Sequence, residues 1–368
     1  VSLPSVSIDA QRGLRVAAWP RVGVRTPLLV GLGVLLACLF VVSLAVGSVS
    51  IPLGDILKIL TGSQGERATW TTILFKFRLP KALTAVLAGA ALSVSGLQMQ
   101  TLFRNPLADP YILGISSGAS LGVALLVLGG VTVSGAAFLG GLGLLGSFGI
   151  VVAASLGAGS VFALVIFIAR RVSNSVTLLI LGLMFGYITG AAVSVLLYFS
   201  APQQIQAYLS WTFGSFGGVT WDQLTALAPV VGVGMALAAL TVKPLNALLL
   251  GEHYARSMGV NLRRARLLIL VSASLLTGAV TAFCGPIGFL GVAVPHLARA
   301  GQRGADHRAL MPLCALLGAS LALVFDLIAQ LPGGNVVLPL NAVAALFGAP
   351  LVLVIILRRQ SARGPFGA

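Results

Sequence analysis

The stretch GEHYARSMGVNLRRAR, residues 251–266, holds Glu252, Arg256, Arg263, Arg264 and Arg266, with His253 beside them, in a chain that is only 8% charged. On either side, 223–242 and 267–298 contain no Asp, Glu, Lys or Arg at all. Charge this dense between two such runs reads as an excursion into water between membrane crossings. Composition agrees, because 58% hydrophobic residues and a mean hydropathy of +1.04 lie outside the range of soluble domains.

A helix needs about 20 apolar residues to cross the hydrocarbon layer. The charge-free intervals then convert directly into spans. Leu28 to Val49 and Ala82 to Phe103 give one each, and Pro110 to Ala169, Gly-rich in its middle, has room for two and a turn. Val172 to Trp221 begins as a span and becomes polar and glycine-broken, which places Trp211 and Trp221 at headgroup level. Gln223 to Val242 is another. Leu267 to Ala298 is broken at Gly285-Pro286 into a full span and a shorter one, and Ala309 to Leu357 divides at LPGGN, 331–335. The fold class is therefore an all-α polytopic membrane protein of about ten transmembrane helices.

An even count puts both ends on one side. With the N-terminus inside, 18 of the 23 basic residues fall in cytoplasmic segments, leaving Lys58, Arg67, Lys76, Arg78 and Lys81 outside. That is the asymmetry of the positive-inside rule. It implies a cytoplasmic arm over 1–27, a transmembrane unit over 28–357 with 251–266 facing the cytoplasm, and a cytoplasmic tail over 358–368. The arm is too long and polar to resemble an ordinary cleaved signal peptide. The net charge of +15 is explained by orientation in the bilayer, so no nucleic-acid partner is expected.

Several function classes lack their parts. Cys38, Cys284 and Cys314 lie in apolar runs without Cys-x-x-Cys spacing, which suits buried small hydrophobes. His253, His296 and His307 sit in or beside cytoplasmic segments with no metal-ligand spacing, so they read as structural or interfacial and no metal site is expected. Neither a channel filter nor a catalytic acid–base pair is visible. Glycine faces such as GAALSVSG (89–96) and GISSGASLG (114–122) read as close helix packing. Asp326 is the only acidic residue deep in a span, and serves either as a partner for a backbone or hydroxyl donor or as a proton site. None of the four lysines follows a glycine as a P-loop requires, so any ATP and Mg belong to another chain. The charged island is then either a solvated loop or the docking surface for a separate motor.

Three stretches carry a family resemblance. RLPKALTAVLAGAALSVSGLQMQTLFRNPLADPYILGISSGASLG (78–122) closely resembles the signature region of the FecCD permeases of ABC importers for iron–siderophores, haem and vitamin B12. GEHYARSMGV (251–260) is similar to that family's Gly-Glu-x-x-Ala-x-x-Leu-Gly coupling segment, with Met258 at the leucine. GPIGFLGVAVPHLAR (285–299), then DHR (306–308) and LFGAPLVL (346–353), match the rest in order. The resemblance implies the type II ABC importer permease fold, a homodimer with a central pathway, two cytoplasmic ATPase subunits and a periplasmic binding protein, all in a bacterial inner membrane. It makes Glu252, Ala255, Arg256, Met258 and Gly259 the ATPase-coupling residues, and Lys58, Arg67 and Arg78 the candidates for binding-protein docking. The chain departs from the family before its last helix, where Val337, Leu338, Pro339, Leu340 and Asn341 stand in place of Glu-Leu-Pro-Ile-Gly. The expected cargo is haem or a ferric siderophore ahead of cobalamin, since no His, Cys or Met cluster lines a path and Met99 and Met184 read as core filler. The competing reading is an ion-coupled secondary transporter or exporter, which needs no ATPase partner.

Overall fold

A computed structural model describes residues 26–62, 66–129, 148–171, 175–302, 304–331 and 337–362. The N-terminal arm, the glycine-rich middle of the third interval and most of LPGGN lie outside the described residues. Every regular element described is helical. α1 (Thr26–Ala45) is followed by two short helices, α2 (Leu53–Leu60) and α3 (Ala68–Ile73), and a π-turn over Leu74–Arg78 that runs without interruption into α4 (Leu79–Leu102). Then come α5 (Ile115–Val127), α6 (Gly149–Ala169), α7 (Ser175–Tyr198), α8 (Pro202–Thr212) and α9 (Trp221–Leu240). The short α10 (Val242–Leu249) and α11 (Glu252–Ser257) lead to α12 (Leu262–Cys284), α13 (Leu290–Gly301), α14 (His307–Ala329) and α15 (Leu340–Ala362). Seven of these are long and apolar enough to cross a membrane, and the shorter α5 and α13, with the apolar stretch Leu340–Val354 of α15, fill the remaining expected intervals.

α4 is the centre of the bundle. Helices α9, α12, α13 and α14 all pack on it, so nearly every residue from Ala82 to Leu102 is buried. Small residues make this possible: a side chain on Gly89 would strike the Gly318 carbonyl of α14, and one on Gly96 the Gly291 carbonyl of α13. The second small-residue face works the same way, with Gly118 and Gly122 of α5 set against Gly157 and Ala153 of α6. Both glycine stretches are thus packing faces. A helix enclosed on all sides tolerates side chains that lipid would not, and Ser93, Ser95, Gln98, Gln100 and Thr101 of α4 are all buried.

The third interval departs from its expected form. Its first helix begins only at Ile115, because Asn105 and Asp109 turn the chain with side-chain bonds to the amides of Leu107 (3.0 Å) and Tyr111 (2.8 Å). This approach, which includes a single 3-10 turn over Pro110–Leu113, is covered by protein: Tyr111 Oη donates to Ile287 O (3.1 Å) and accepts from Ile287 N–H (3.0 Å). Ile287 lies in the break at Gly285-Pro286, where the sequence places it. The segment after α7 is a helix, α8, and Trp221 Nε1 donates to Phe75 O in the π-turn at 2.7 Å. A π-turn leaves carbonyls short of partners, and the indole supplies one.

Asn341, the departure from the family pattern, is a three-way staple. Its Nδ2 donates to Thr212 O (2.9 Å) and to Pro286 O, its Oδ1 accepts from Gly288 N–H (2.9 Å), and its own amide reaches Phe213 O (3.1 Å). A glycine there would offer the backbone bond alone.

Candidate functional site

The charged island forms a protrusion built from two glycines. Gly251, at φ +104°, ends α10 and starts α11, while Gly259, at φ +81°, closes α11 with Val260 N–H on Ala255 O and its own N–H on Arg256 O, both 3.0 Å. This is a Schellman ending, for which the left-handed conformation suits glycine. Ala255 is fully buried and pins the helix, whereas His253, Tyr254, Arg256, Ser257 and Met258 face outward. Tyr254 is 58% and Met258 51% exposed, an apolar pair presented on a charged surface.

The five residues expected to couple therefore fall in one place but in different roles. Arg256 and Met258 are on the open face, Gly259 sets the backbone, and Ala255 is an anchor. Glu252 turns back to Arg266, whose Nη2 donates to Oε1 at 2.5 Å. Tyr254 was not singled out in the sequence, yet the helical spacing from buried Ala255 puts it on the exposed side. Arg104, two residues past the end of α4 and itself at φ +50°, comes close beside the protrusion: a Cβ at Gly251 would stand 3.2 Å from its Nη2.

A polar network ties this protrusion to the bundle core. Gln98 Nε2 of α4 donates to Thr241 Oγ1 at the head of α10 and to Ser272 Oγ of α12, each at 3.1 Å. Asn246 of α10 accepts from both the amide (2.8 Å) and Nδ1 (2.7 Å) of His307, whose Nε2 meets Thr101 Oγ1 of α4 at 2.9 Å. That shared acceptor calls for the imidazole proton on Nδ1. Asn246 Nδ2 in turn donates to Asp306 at 2.6 Å. Burial works against the Asp306 charge, but the Arg308 amide, the Asn246 side chain and the Arg308 guanidinium together hold its carboxyl below the usual range. Arg299 Nη1 of α13 donates to Gln100 Oε1 at 2.5 Å, and Ser95 pairs with Thr277 of α12 at 2.7 Å. The last two turns of α4 are thus hydrogen-bonded to α10, α12, α13 and α14. His307 is structural, and so is His296, whose Nε2 lies 2.9 Å from Pro106 O, while His253 is on the open face.

The opposite end of α4 holds the residues expected to meet a binding protein. Lys58 is 64% exposed on α2 with Asp55 at 3.5 Å, and Arg67 is exposed with its guanidinium 5.4 Å from the Trp70 ring centroid. Arg78 does not fit that role. It is only 7% exposed, and its guanidinium caps the end of α1 through Leu44 O (2.6 Å), Ala45 O (2.9 Å) and Val49 O. The Leu44 and Ala45 carbonyls close the last turn of α1 and have no partner within that helix, which is why a buried cation is held there. Nor is Asp326 solitary: Lys81 Nζ lies 2.9 Å from its Oδ1, and Gln330 Nε2 donates to its Oδ2 at 2.8 Å. Its position in the last turn of α14 is nearer a membrane boundary than the sequence suggested.

Cys284, Cys314 and Met99 are buried, whereas Cys38 and Met184 face outward on α1 and α7, so Met184 is no core filler. Among the described residues, no group of three His, Cys, Asp or Glu side chains comes together.

Comparison with known proteins covers almost the whole of this architecture. The chain is 38% identical over 334 residues to the hemin transport system permease protein HmuU of Yersinia pestis, covering 90% of this chain and 96% of that one. It is 36% identical over 332 residues to the vitamin B12 import system permease protein BtuC of Klebsiella pneumoniae, covering 90% and 94%. A solved structure of a metal-chelate type ABC transporter in an inward-facing conformation superposes with a TM-score of 0.78 at 28% identity, over 90% of this chain and 99% of that one. The model of the FecCD transport family matches residues 35–358, and with these relatives spanning nine-tenths of it the chain belongs to that family.

Proposed function

We propose that this chain is the membrane-spanning permease of an ATP-binding-cassette importer, and that it admits a metal chelate to the cytoplasm, with haem or a ferric siderophore ahead of cobalamin. The observation that carries the reading is α11. A six-residue helix held out by two left-handed glycines, and hydrogen-bonded through α10 to α4 and α14, is shaped to receive a push from a separate protein. The names of the relatives supply the cargo class, haemin and vitamin B12. Two ATPase subunits carrying ATP and Mg would seat against α11, a second copy of this chain would complete the pathway, and a periplasmic binding protein would dock at the opposite end. In this orientation both termini are cytoplasmic, and a reporter that fluoresces only in the cytoplasm is bright when fused after Arg359. The ion-coupled alternative loses its best candidate, because the Asp326 carboxylate is already engaged by Lys81 and Gln330.

The test is uptake into proteoliposomes holding the full complex, with binding protein outside and ATP inside. Haem, ferric siderophores, cobalamin and free ferrous ion are supplied in parallel. ATP-dependent accumulation of a chelate is expected; accumulation without ATP, or of the free ion alone, rejects the reading.

The docking face is predicted to rest on Lys58 and Arg67, since Arg78 is committed to α1. Rim charges act mainly on association rate and its salt dependence. The Lys58→Gln/Arg67→Gln variant should capture loaded binding protein more slowly, by roughly tenfold at low salt, with a flatter dependence on ionic strength. Stopped-flow association measured across salt decides this, and wild-type kinetics in the double variant would move docking to other surfaces.

A further inference from the structure

A cavity of about 460 Å³ opens between the end of α6, the start of α7, α11 and the start of α12. Its wall carries Arg170, Arg256, Arg263, Arg264 and Arg266 against one carboxylate, Glu252. That carboxylate is consumed by Arg266 at 2.5 Å, and no ion pair reaches Arg170, Arg256, Arg263 or Arg264 among the described residues. Guanidiniums crowded around one cavity repel each other and lower the cost of admitting an anion there. We propose that this cavity binds the phosphate of an anionic phospholipid.

The floor of the cavity selects lipid over other anions. Leu178 and Leu267 line it, and both belong to helices that are apolar enough to span, α7 and α12. Arg170 directly follows Ala169, the last residue of the spanning α6. Arginines at the rim over leucines below is the vertical order of a membrane boundary, where lipid phosphates already sit above their acyl chains. An acidic side chain from a soluble protein would have to bring its backbone down to the level of the hydrocarbon to reach the same place. Free phosphate would satisfy the guanidiniums and leave Leu267, which is only half-buried on α12, uncovered. The planar guanidinium fork matches phosphate oxygens two at a time. The surplus of positive charge disfavours a zwitterionic headgroup, whose own cation would enter the same cluster. Basic pockets between spanning helices on the cytoplasmic side are a recurring home for acidic headgroups. A lipid seated here would bridge the end of α6 to α11, bracing the protrusion from behind, and its binding does not depend on whether α11 meets an ATPase.

The full-length chain in detergent is titrated with phosphatidylglycerol, cardiolipin, phosphatidylcholine and inorganic phosphate, with bound lipid counted by native mass spectrometry. The two anionic lipids should bind in preference to phosphatidylcholine, and phosphate should compete weakly. In the Arg170→Gln/Arg263→Gln/Arg264→Gln variant the preference should fall by roughly fivefold per arginine, on the order of a hundredfold together. An undiminished preference in a variant that elutes and melts like the parent overturns the proposal, as does competition by phosphate as strong as that by lipid. Should the variant fold poorly, photoactivatable phosphatidylglycerol on the unaltered chain gives the answer. Labels on peptides containing Arg170 and Arg263–Leu267 support the site, and labels confined to other helices reject it. If adding the purified partner ATPase displaces the label from those peptides, the occupant is a protein and the proposal is likewise overturned.

Discussion

Gly259→Val is expected to cut substrate-stimulated ATP hydrolysis and uptake by tenfold or more, while leaving the bundle folded. No atom lies within 4 Å of a Cβ built at Gly259, so the change introduces no collision. Its effect is confined to the backbone, because φ +81° is a conformation that β-branched residues resist by about 1–2 kcal/mol. Relieving that strain reorients the end of α11 together with Arg256 and Met258, and a misplacement of about 1 Å is enough to lose an interface of this kind. Glu252→Lys should act by a second route. It removes the partner of Arg266 and sets a sixth cation among the five cavity arginines, forcing α11 away from α12. Basal ATPase activity and substrate-stimulated activity are measured side by side on purified complexes, with thermal unfolding to confirm folding. If both variants keep parental stimulation and uptake, α11 is not the coupling element.

The span pattern was legible because burial in lipid forbids charge, so charge-free intervals in the sequence become helices almost one for one. The isolation of 251–266 followed from the same rule, and the break at Gly285-Pro286 from the inability of that pair to continue a helix. What stayed hidden were the exceptions in which a polar side chain is enclosed by protein. Arg78 and Lys81 counted as charges on the outer face, with Arg78 a docking candidate, yet they fold back onto Leu44 O and Asp326. Nothing in the order of residues says that α1 and α14 end beside the start of α4. Gln98, Gln100 and Thr101 lie inside the charge-free interval 82–103 without disturbing it, and their partners lie 143 to 206 residues away. The late start of α5 was missed for a related reason: Pro110 to Leu113 satisfy every composition test for a span, but Asp109 and Tyr111 have been recruited to turn the chain. In the candidate site, the motif marked the segment, while the division between anchor and contact face needed the burial of Ala255.

Removing Asp326 by Asp326→Ala is expected to be the most destabilising single change outside the glycine faces, costing about 3 kcal/mol, the lower end of what breaking a buried pair costs. The lower end applies because the Lys81 side chain keeps 22% of its exposure, so part of its stranded charge is hydrated. Gln330 would lose the acceptor of its 2.8 Å bond at the same time. Replacing the pair together, as Lys81→Met/Asp326→Leu, should recover most of the loss, since an apolar pair of similar volume has no desolvation to offset. Melting temperatures of Lys81→Met, Asp326→Leu and the double variant in one detergent form a cycle that isolates the coupling. Additive losses would show that the two charges contribute independently. Asp326→Asn separates structure from transport. Its one oxygen can keep the Lys81 contact while the bond from Gln330 is lost, and it cannot carry a proton, so ATP-driven uptake of the chelate should persist once the folded fraction is accounted for. An ion-coupled carrier that used this carboxylate would lose transport outright, and that result would return the chain to the class of transporters that need no ATPase.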